Sequence, residues 1–336
     1  MDETKILHIM VLDKFLAPFI DFVDEHFGRE GHHYVFVTSE RYEYGLTLEH
    51  KVEFLHTNDD IFITLHQYMK IAKKIILHGL WSGEIDLLLY LNQNLFKKSY
   101  WVMWGGDFYF PETKSRIRHE VIKNINHSIP VTYDDYLYIK SHYNSIAKYH
   151  KCINYPRSIK ISILPLDNCT NSKKILVGNS ATPSNRHLEI FNKLANFKDI
   201  DIFVPLSYGD VSYKQTILEL GDELFNGNFH PITDMMVYND YISFLNDMNF
   251  AIFNHNRQQG VSNIILLLSM GKTIYLSKEN NAYNMLKKLN IIFKDINELN
   301  YDLEEISNTD KLNNQKIILE NYSEDKAVLE WSKIFG

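Results

Sequence analysis

Short apolar runs alternate along the chain with longer stretches in which apolar positions recur every three to four residues. In the first half, Ile6–Leu12, Tyr34–Val37, Val52–Leu55, Ile75–Leu77 and Tyr100–Met103 read as buried strands. Helical spacing occupies Phe15–Phe27, Ile61–Lys73, Glu84–Lys97 and Glu112–Asn126. A second series follows, with strands at Ile175–Val177, Ile202–Val204, Ala251–Phe253 and Thr273–Leu276. Its helices are expected at Asn185–Asn196, Tyr213–Phe225, Asp234–Met248, Ser262–Met270 and Ala282–Leu289. Strand, helix, strand in this rhythm predicts βαβ units and largely parallel sheets. The α/β chain therefore divides into two doubly wound domains, 1–165 and 170–322, joined by the polar segment Pro165–Lys173. A closing helix near Asp325–Ile334, within 323–336, is expected to pack back on the first domain. Ligands of such sheets bind at the carboxyl ends of strands, so the loops after strands are where chemistry is sought.

Composition narrows the class. The 336 residues are 45% hydrophobic and 23% charged, which excludes disorder, collagen and coiled coil. A net charge of -7 argues against a surface wholly devoted to nucleic acid. Cys152 and Cys169 form no disulfide framework, and a reducing setting is the simpler reading. The opening MDETKILHIMVLDKF does not read as a signal peptide. The densest apolar run, Ile264 to Met270, is too short to cross a bilayer. The expectation is a cytoplasmic protein, at most peripheral to the inner face of the membrane. Charge is unevenly spread: Tyr136 to Leu166 holds Lys140, Lys148, Lys151, Arg157 and Lys160 without one acid, interleaved with Tyr138, Tyr143, Tyr149 and Tyr155. That pattern suits an anionic membrane surface, a lipid-linked diphosphate or single-stranded nucleic acid, and equally a solvated basic face.

Several familiar motifs fail. Gly271-Lys272-Thr273 resembles the end of a phosphate-binding loop, but Leu266 stands where a glycine is required and a strand follows. Asp199-Ile200-Asp201 has the D-x-D spacing of metal-dependent sugar transfer, yet it opens a strand on the wrong edge of the sheet. There is no G-x-G-x-x-G, H-E-x-x-H or G-x-S-x-G. The fifteen histidines are scattered, with no metal-ligand spacing.

Other strand exits carry usable chemistry. Gly178-Asn179-Ser180 follows Ile175–Val177 and leads through small residues to a helix start, a natural anion site or an ordinary turn with Ser184 as N-cap. Asn254-His255-Asn256-Arg257-Gln258-Gln259-Gly260 follows Ala251–Phe253 and precedes the helix from Ser262. Arg257 with backbone donors at that helix start suits a diphosphate. In the first domain Asp13, His78 and Asp107, the last beside Trp104, leave three different strands. If those strands are neighbours, a carboxylate among them is a candidate general base. Each also reads as a loop cap or a structural hydrogen-bonder.

At these residues the chain resembles glycosyltransferase family 56, whose characterised activity moves 4-acetamido-4,6-dideoxygalactose (Fuc4NAc) from a TDP-sugar to an undecaprenyl-linked acceptor. The matching pieces are ILVGNS at Ile175–Ser180 with Ser184-Asn185 and His187, VPLSYGD with Tyr208, RQQG at Arg257–Gly260, Glu279-Asn280, and WGGDFY with Trp104, Asp107 and Tyr109. Gly106 departs from the family, which carries a larger residue there. The resemblance implies a GT-B-like architecture of two Rossmann-like domains facing a cleft, with acceptor on the first and nucleotide sugar on the second. It implies a donor site from Gly178, Asn179, Ser180, Tyr208, Arg257, Gln258, Gln259, Gly260, Ser262 and Glu279. No metal and no cofactor is implied. The expected partners are a TDP-, UDP- or GDP-sugar and a lipid-linked glycan in surface polysaccharide synthesis, with Trp104, Lys140, Lys148 and Lys151 toward acceptor or membrane. A sugar-nucleotide epimerase and a non-catalytic nucleotide or glycan binder are the alternatives on the same architecture.

Overall fold

The computed structural model describes residues 1–158, 173–300 and 303–336. The expected linker, up to residue 172, lies outside the described residues, as do Lys160 and Cys169. The chain divides into two compact units, Met1–Lys160 with Tyr322–Gly336, and Ile161–Asn321.

The first unit is built on seven strands: β1 (Ile6–Met10), β2 (His32–Phe36), β3 (Glu53–Phe54), β4 (Lys74–His78), β5 (Ser99–Val102), β6 (His127–Ile129) and β7 (Lys148–Tyr149). They lie in the order β3-β2-β1-β4-β5-β6-β7. The second unit holds β8 (Lys173–Val177), β9 (Ile200–Pro205), β10 (Phe229–Ile232), β11 (Phe250–Phe253), β12 (Thr273–Leu276) and β13 (Lys294–Asp295), ordered β10-β9-β8-β11-β12-β13. Every pairing is parallel. Helices cover both faces of such sheets, which is why β1, β11 and β12 are buried at every position and read as continuous apolar runs.

The order reverses between β1 and β4 in the first unit and between β8 and β11 in the second. At each reversal the loops leaving two adjacent strands diverge and open a crevice at the strand ends.

Core packing in the first unit draws on both ends of the chain. The helix Glu324–Phe335 buries Ala327, Trp331, Ile334 and Phe335, spaced three to four residues apart on one face. Trp331 packs on Phe19 with ring centres 5.0 Å apart and donates its indole N–H to the Ile153 carbonyl at 2.9 Å. Glu330 accepts from the Ile153 amide at 2.9 Å, and Lys74 donates to the Ile334 carbonyl at 2.6 Å. At the helix start Glu324 pairs with His26 at 2.7 Å and Arg157 at 2.8 Å.

Two helices depart from the expectation. Tyr133–Tyr143 begins just before the basic segment and runs into it, and Asn308–Tyr322 has no apolar stripe in its sequence. The first is held by a reciprocal cap: Thr132 accepts from the Asp135 amide at 3.1 Å and Asp135 accepts from the Thr132 amide at 3.0 Å. The second turns amides inward: Asn314 brackets Ile292 with bonds of 2.9 and 2.7 Å, and Gln315 donates to Ser269 at 3.0 Å. Strands β6, β7, β10 and β13 were also not expected. Three are only two or three residues long, and β10 carries Pro231 on a sheet edge.

Candidate active site

The crevice between β8 and β11 is closed underneath by a knot of buried polar side chains. Asn185 is its centre. Its carbonyl oxygen accepts from the Asn179 amide at 2.9 Å and from His255 Nε2 at 2.8 Å. Its amide group donates to Thr182 Oγ1 at 2.7 Å and Ser180 Oγ at 3.2 Å. His255 in turn accepts at Nδ1 from Asn280 at 3.2 Å, which fixes a neutral imidazole protonated at Nε2. Gln259 donates to Asn179 Oδ1, Ser180 Oγ and Thr182 Oγ1 at 2.9–3.0 Å and accepts from Ser184 at 2.6 Å. The loops after β8, β11 and β12 are thereby one hydrogen-bonded body.

This geometry corrects one local expectation. The helix after β8 begins at His187, not Asn185, and Ser184 caps nothing because its hydroxyl is committed to Gln259. Gly178 has φ +70°, and a Cβ there would sit 2.5 Å from His187 Nε2 and 2.6 Å from Asn185 Oδ1. Only glycine lets the chain turn above the knot.

Charge and donors surround the crevice. Arg257 is half-buried and donates to the Gln258 carbonyl at 3.0 Å, while Gln258 itself is buried. Gly260 precedes the helix Val261–Ser269, whose start takes no side-chain cap, so the amides beside Ser262 keep their hydrogen-bonding capacity. Arg186 is a second guanidinium, missed in the sequence. It donates to the Asn254 carbonyl at 2.9 Å, to Asn254 Oδ1 at 3.1 Å and to Ser277 at 3.3 Å, and pairs with Glu279 at 2.9 Å. Glu279, though exposed, is anchored by that arginine. Tyr208, exposed on the exit of β9, accepts from Asn179 Nδ2 at 3.1 Å. Its signal in the sequence was the motif; that of Arg186 was only its place before a helix at a strand exit.

In the first unit the three candidates at strand exits differ in depth. Asp13 is half-buried and accepts from the Phe15 amide at 3.1 Å, and burial raises its carboxyl above the ordinary range. Asp107 has no exposed surface; it accepts from the Trp101 indole at 2.8 Å and the Trp104 amide at 3.1 Å. Burial pushes it up to about 6. His78 is buried within a row of aromatic donors and acceptors. The Trp104 indole donates to the Tyr155 hydroxyl at 2.8 Å, which meets His78 Nδ1 at 3.1 Å. His78 Nε2 meets His8 Nδ1 at 3.1 Å, and His8 Nε2 meets His32 Nδ1 at 2.9 Å. Burial drives His78 down to about 3, His32 to about 4 and His8 well below its ordinary value, so all three are neutral. A neutral imidazole donates at one nitrogen and accepts at the other, so the bonds through His78 and His8 run in one direction.

The basic segment is divided. Lys148 and Lys151 are exposed, Lys140 lies over the Tyr136 ring at 5.3 Å, and Arg157 is neutralised by Glu25 and Glu324. Among the described residues no group of three or more His, Cys, Asp or Glu is placed to hold a metal ion. Nor is any of their helices long and apolar enough to cross a membrane.

Two parallel, doubly wound units with this strand order are the architecture of GT-B glycosyltransferases, and solved structures agree. Anabaena Alr3699/HepE, determined in complex with UDP and glucose, superposes with a TM-score of 0.72 over 98% of both chains at 11% identity. A glycosyltransferase from Rickettsia africae gives 0.72 at 10% identity, covering 100% of this chain and 98% of that one. The UDP-GlcNAc 2-epimerase of Neisseria meningitidis, bound to UDP-GlcNAc, gives 0.52 at 12% identity over 98% and 99%. At these identities the likeness is one of fold. The chain belongs to the 4-alpha-L-fucosyltransferase family, glycosyl transferase group 56, whose profile matches residues 17–323. It is a glycosyltransferase.

The buried histidines make stability depend on pH. Burial lowers His32 to about 4 and His78, His187 and His255 to about 3. Below about pH 6.5 the unfolded chain takes up protons that these folded imidazoles refuse, so stability is full above that pH and falls as pH falls. Each costs roughly 1.5 kcal/mol between pH 6.5 and 5, against a gain of about 1 kcal/mol from the raised Asp107. The urea midpoint is expected to drop steeply from pH 7 to pH 5; a flat profile over that range contradicts the buried, neutral assignment.

Proposed function

We propose that the protein transfers a 6-deoxyhexose of the Fuc4NAc type from a nucleoside-diphosphate donor to a lipid-linked glycan in surface polysaccharide synthesis. The observation that carries this reading is the β8/β11 crevice, where Asn185, His255 and Gln259 lock two glycine-bearing strand exits whose loops also carry Arg186 and Arg257. Backbone donors at an uncapped helix start, together with Arg257, match the oxygens of a diphosphate. As the sugar leaves, those same groups stabilise the charge developing on the departing nucleotide. Tyr208 and Glu279, on the neighbouring exits, are assigned to the donor sugar or ribose.

On the first unit the candidate base is Asp13. Among Asp13, His78 and Asp107 it alone combines solvent access with a carboxyl raised by burial, as removal of a hydroxyl proton near neutral pH requires. Asp107 serves instead to hold the Trp101 indole, and His78 to orient Tyr155. Exposed Lys148 and Lys151, with Ile146 and Leu137 nearby in the chain and also exposed, suit contact with an anionic leaflet at the inner membrane face.

Three measurements test these assignments. Calorimetry with TDP, UDP and GDP should find at least one nucleotide that binds, and Arg257→Ala should weaken it roughly ten- to a hundredfold. Equal affinity in wild type and variant removes Arg257 from the diphosphate site. Asp13→Asn should lower kcat by about 10²- to 10⁴-fold with donor affinity kept; intact turnover excludes Asp13 as base. Co-sedimentation with phosphatidylglycerol vesicles should fall roughly tenfold or more when Lys148 and Lys151 are both changed to Glu. Unchanged binding excludes that face.

A further inference from the structure

Trp81 is a large aromatic side chain that stays substantially in water. Of the four tryptophans, Trp101 and Trp331 are fully buried and Trp104 is half-buried, whereas Trp81 keeps 44% of its surface exposed. Its position is nonetheless fixed. The indole lies across two glycines from different strand exits, Gly79 after β4 and Gly106 after β5. A Cβ at Gly79 would fall 2.1 Å from its Nε1, and one at Gly106 would fall 2.6 Å from Cη2. A side chain at either point would overlap the ring where it lies, and Gly79 also has φ +83°, so the ring rests on bare backbone. Its edge is steadied by Trp104, at 5.4 Å and 77°, itself held by Tyr155 and packed by Phe15.

This shelf stands at the carboxyl ends of the strands beside the β1/β4 reversal, the edge from which Asp13 also leaves. A large ring left half in water forgoes apolar burial that Trp101 and Trp331 obtain. The groups near it are polar: Ser82 follows it and donates to Glu84 at 2.6 Å, and Lys114 donates to the Gly106 carbonyl at 2.7 Å. One flat apolar face with a polar rim matches a pyranose ring, which carries C–H groups on a face and hydroxyls around its edge. A polyprenyl chain would be served by a continuous apolar groove instead.

We propose that Trp81, seated on Gly79 and Gly106, is a stacking platform for a pyranose ring of the acceptor. The assignment rests on the reading of the first unit as the acceptor side, and it names the residue that recognises the sugar. Gly106 then acts as a specificity position, since any side chain there displaces the platform.

Saturation-transfer NMR tests it directly on the full chain, with methyl N-acetylhexosaminides and methyl hexuronides as probes. Wild type should transfer magnetisation to the ring C–H protons of at least one probe. Trp81→Ala and Gly106→Val should each weaken that probe roughly three- to tenfold or more. Nucleotide affinity, followed by calorimetry on the same samples, should stay unchanged and show that the variants are folded. Transfer to no glycoside, equal binding by both variants, or displacement of the glycoside by decyl phosphate alone would overturn the platform. Loss of nucleotide binding in wild type would instead strike the donor assignment and leave the glycoside result standing.

Discussion

All strand pairs in both sheets are parallel, and that one constraint organises everything else. Parallel neighbours cannot be joined by a tight turn, so each connection must cross a face of the sheet, usually as a helix. All carboxyl ends then gather on one edge. Loop side chains far apart in sequence, such as Asn185 and His255, are brought together there. The chemistry of the chain is accordingly concentrated in short exit loops, while strand interiors are given over to packing.

The two exit edges solve different physical problems. In the second unit the exits are welded by amide groups: Asn185 and Gln259 make several short bonds each, and every one has a protein partner. Such a network is costly when half satisfied and rigid when complete. It sets the backbone in place before any ligand arrives, so little ordering remains to be done on binding. In the first unit the exits are held by aromatic rings and imidazoles, with Tyr155 joining Trp104 to His78. Polar edges on large rings give direction with less demand for exact satisfaction, and they leave apolar faces for contact.

How much of this is readable in the sequence depends on what each element buries. Strands β1, β4, β8, β11 and β12 are apolar on both faces and stand out as runs. The helix Asn308–Tyr322 is invisible to an apolar pattern because its buried positions include Lys311, Asn314 and Gln315, whose partners lie elsewhere in the chain. Short β7 and β13 carry too few residues for any period to show. At the candidate site, VGNS and RQQG are legible as small or polar segments after apolar strands. That Asn185 contacts His255 is not legible, since it follows from two crossovers landing side by side. Depth is equally hidden: Asp13 and Asp107 both follow apolar strands, yet only one keeps contact with solvent. Trp81 gives no local signal at all, because its setting is made by two glycines from separate exits.

The packing of Glu324–Phe335 on the first unit reverses the order in which the chain can mature. During synthesis the residues up to 158 emerge first, yet one of their two core clusters lacks Trp331, Ile334 and Phe335 until the helix after the second unit has been made. The second unit has its strands complete by residue 295 and can condense earlier. The first unit is therefore the last to close, and its contacts between Trp331 and Phe19 span nearly the whole chain. Contacts of such separation are slow to form and leave apolar surface open meanwhile. The first unit must wait, partly assembled, for a segment that follows the whole of the second.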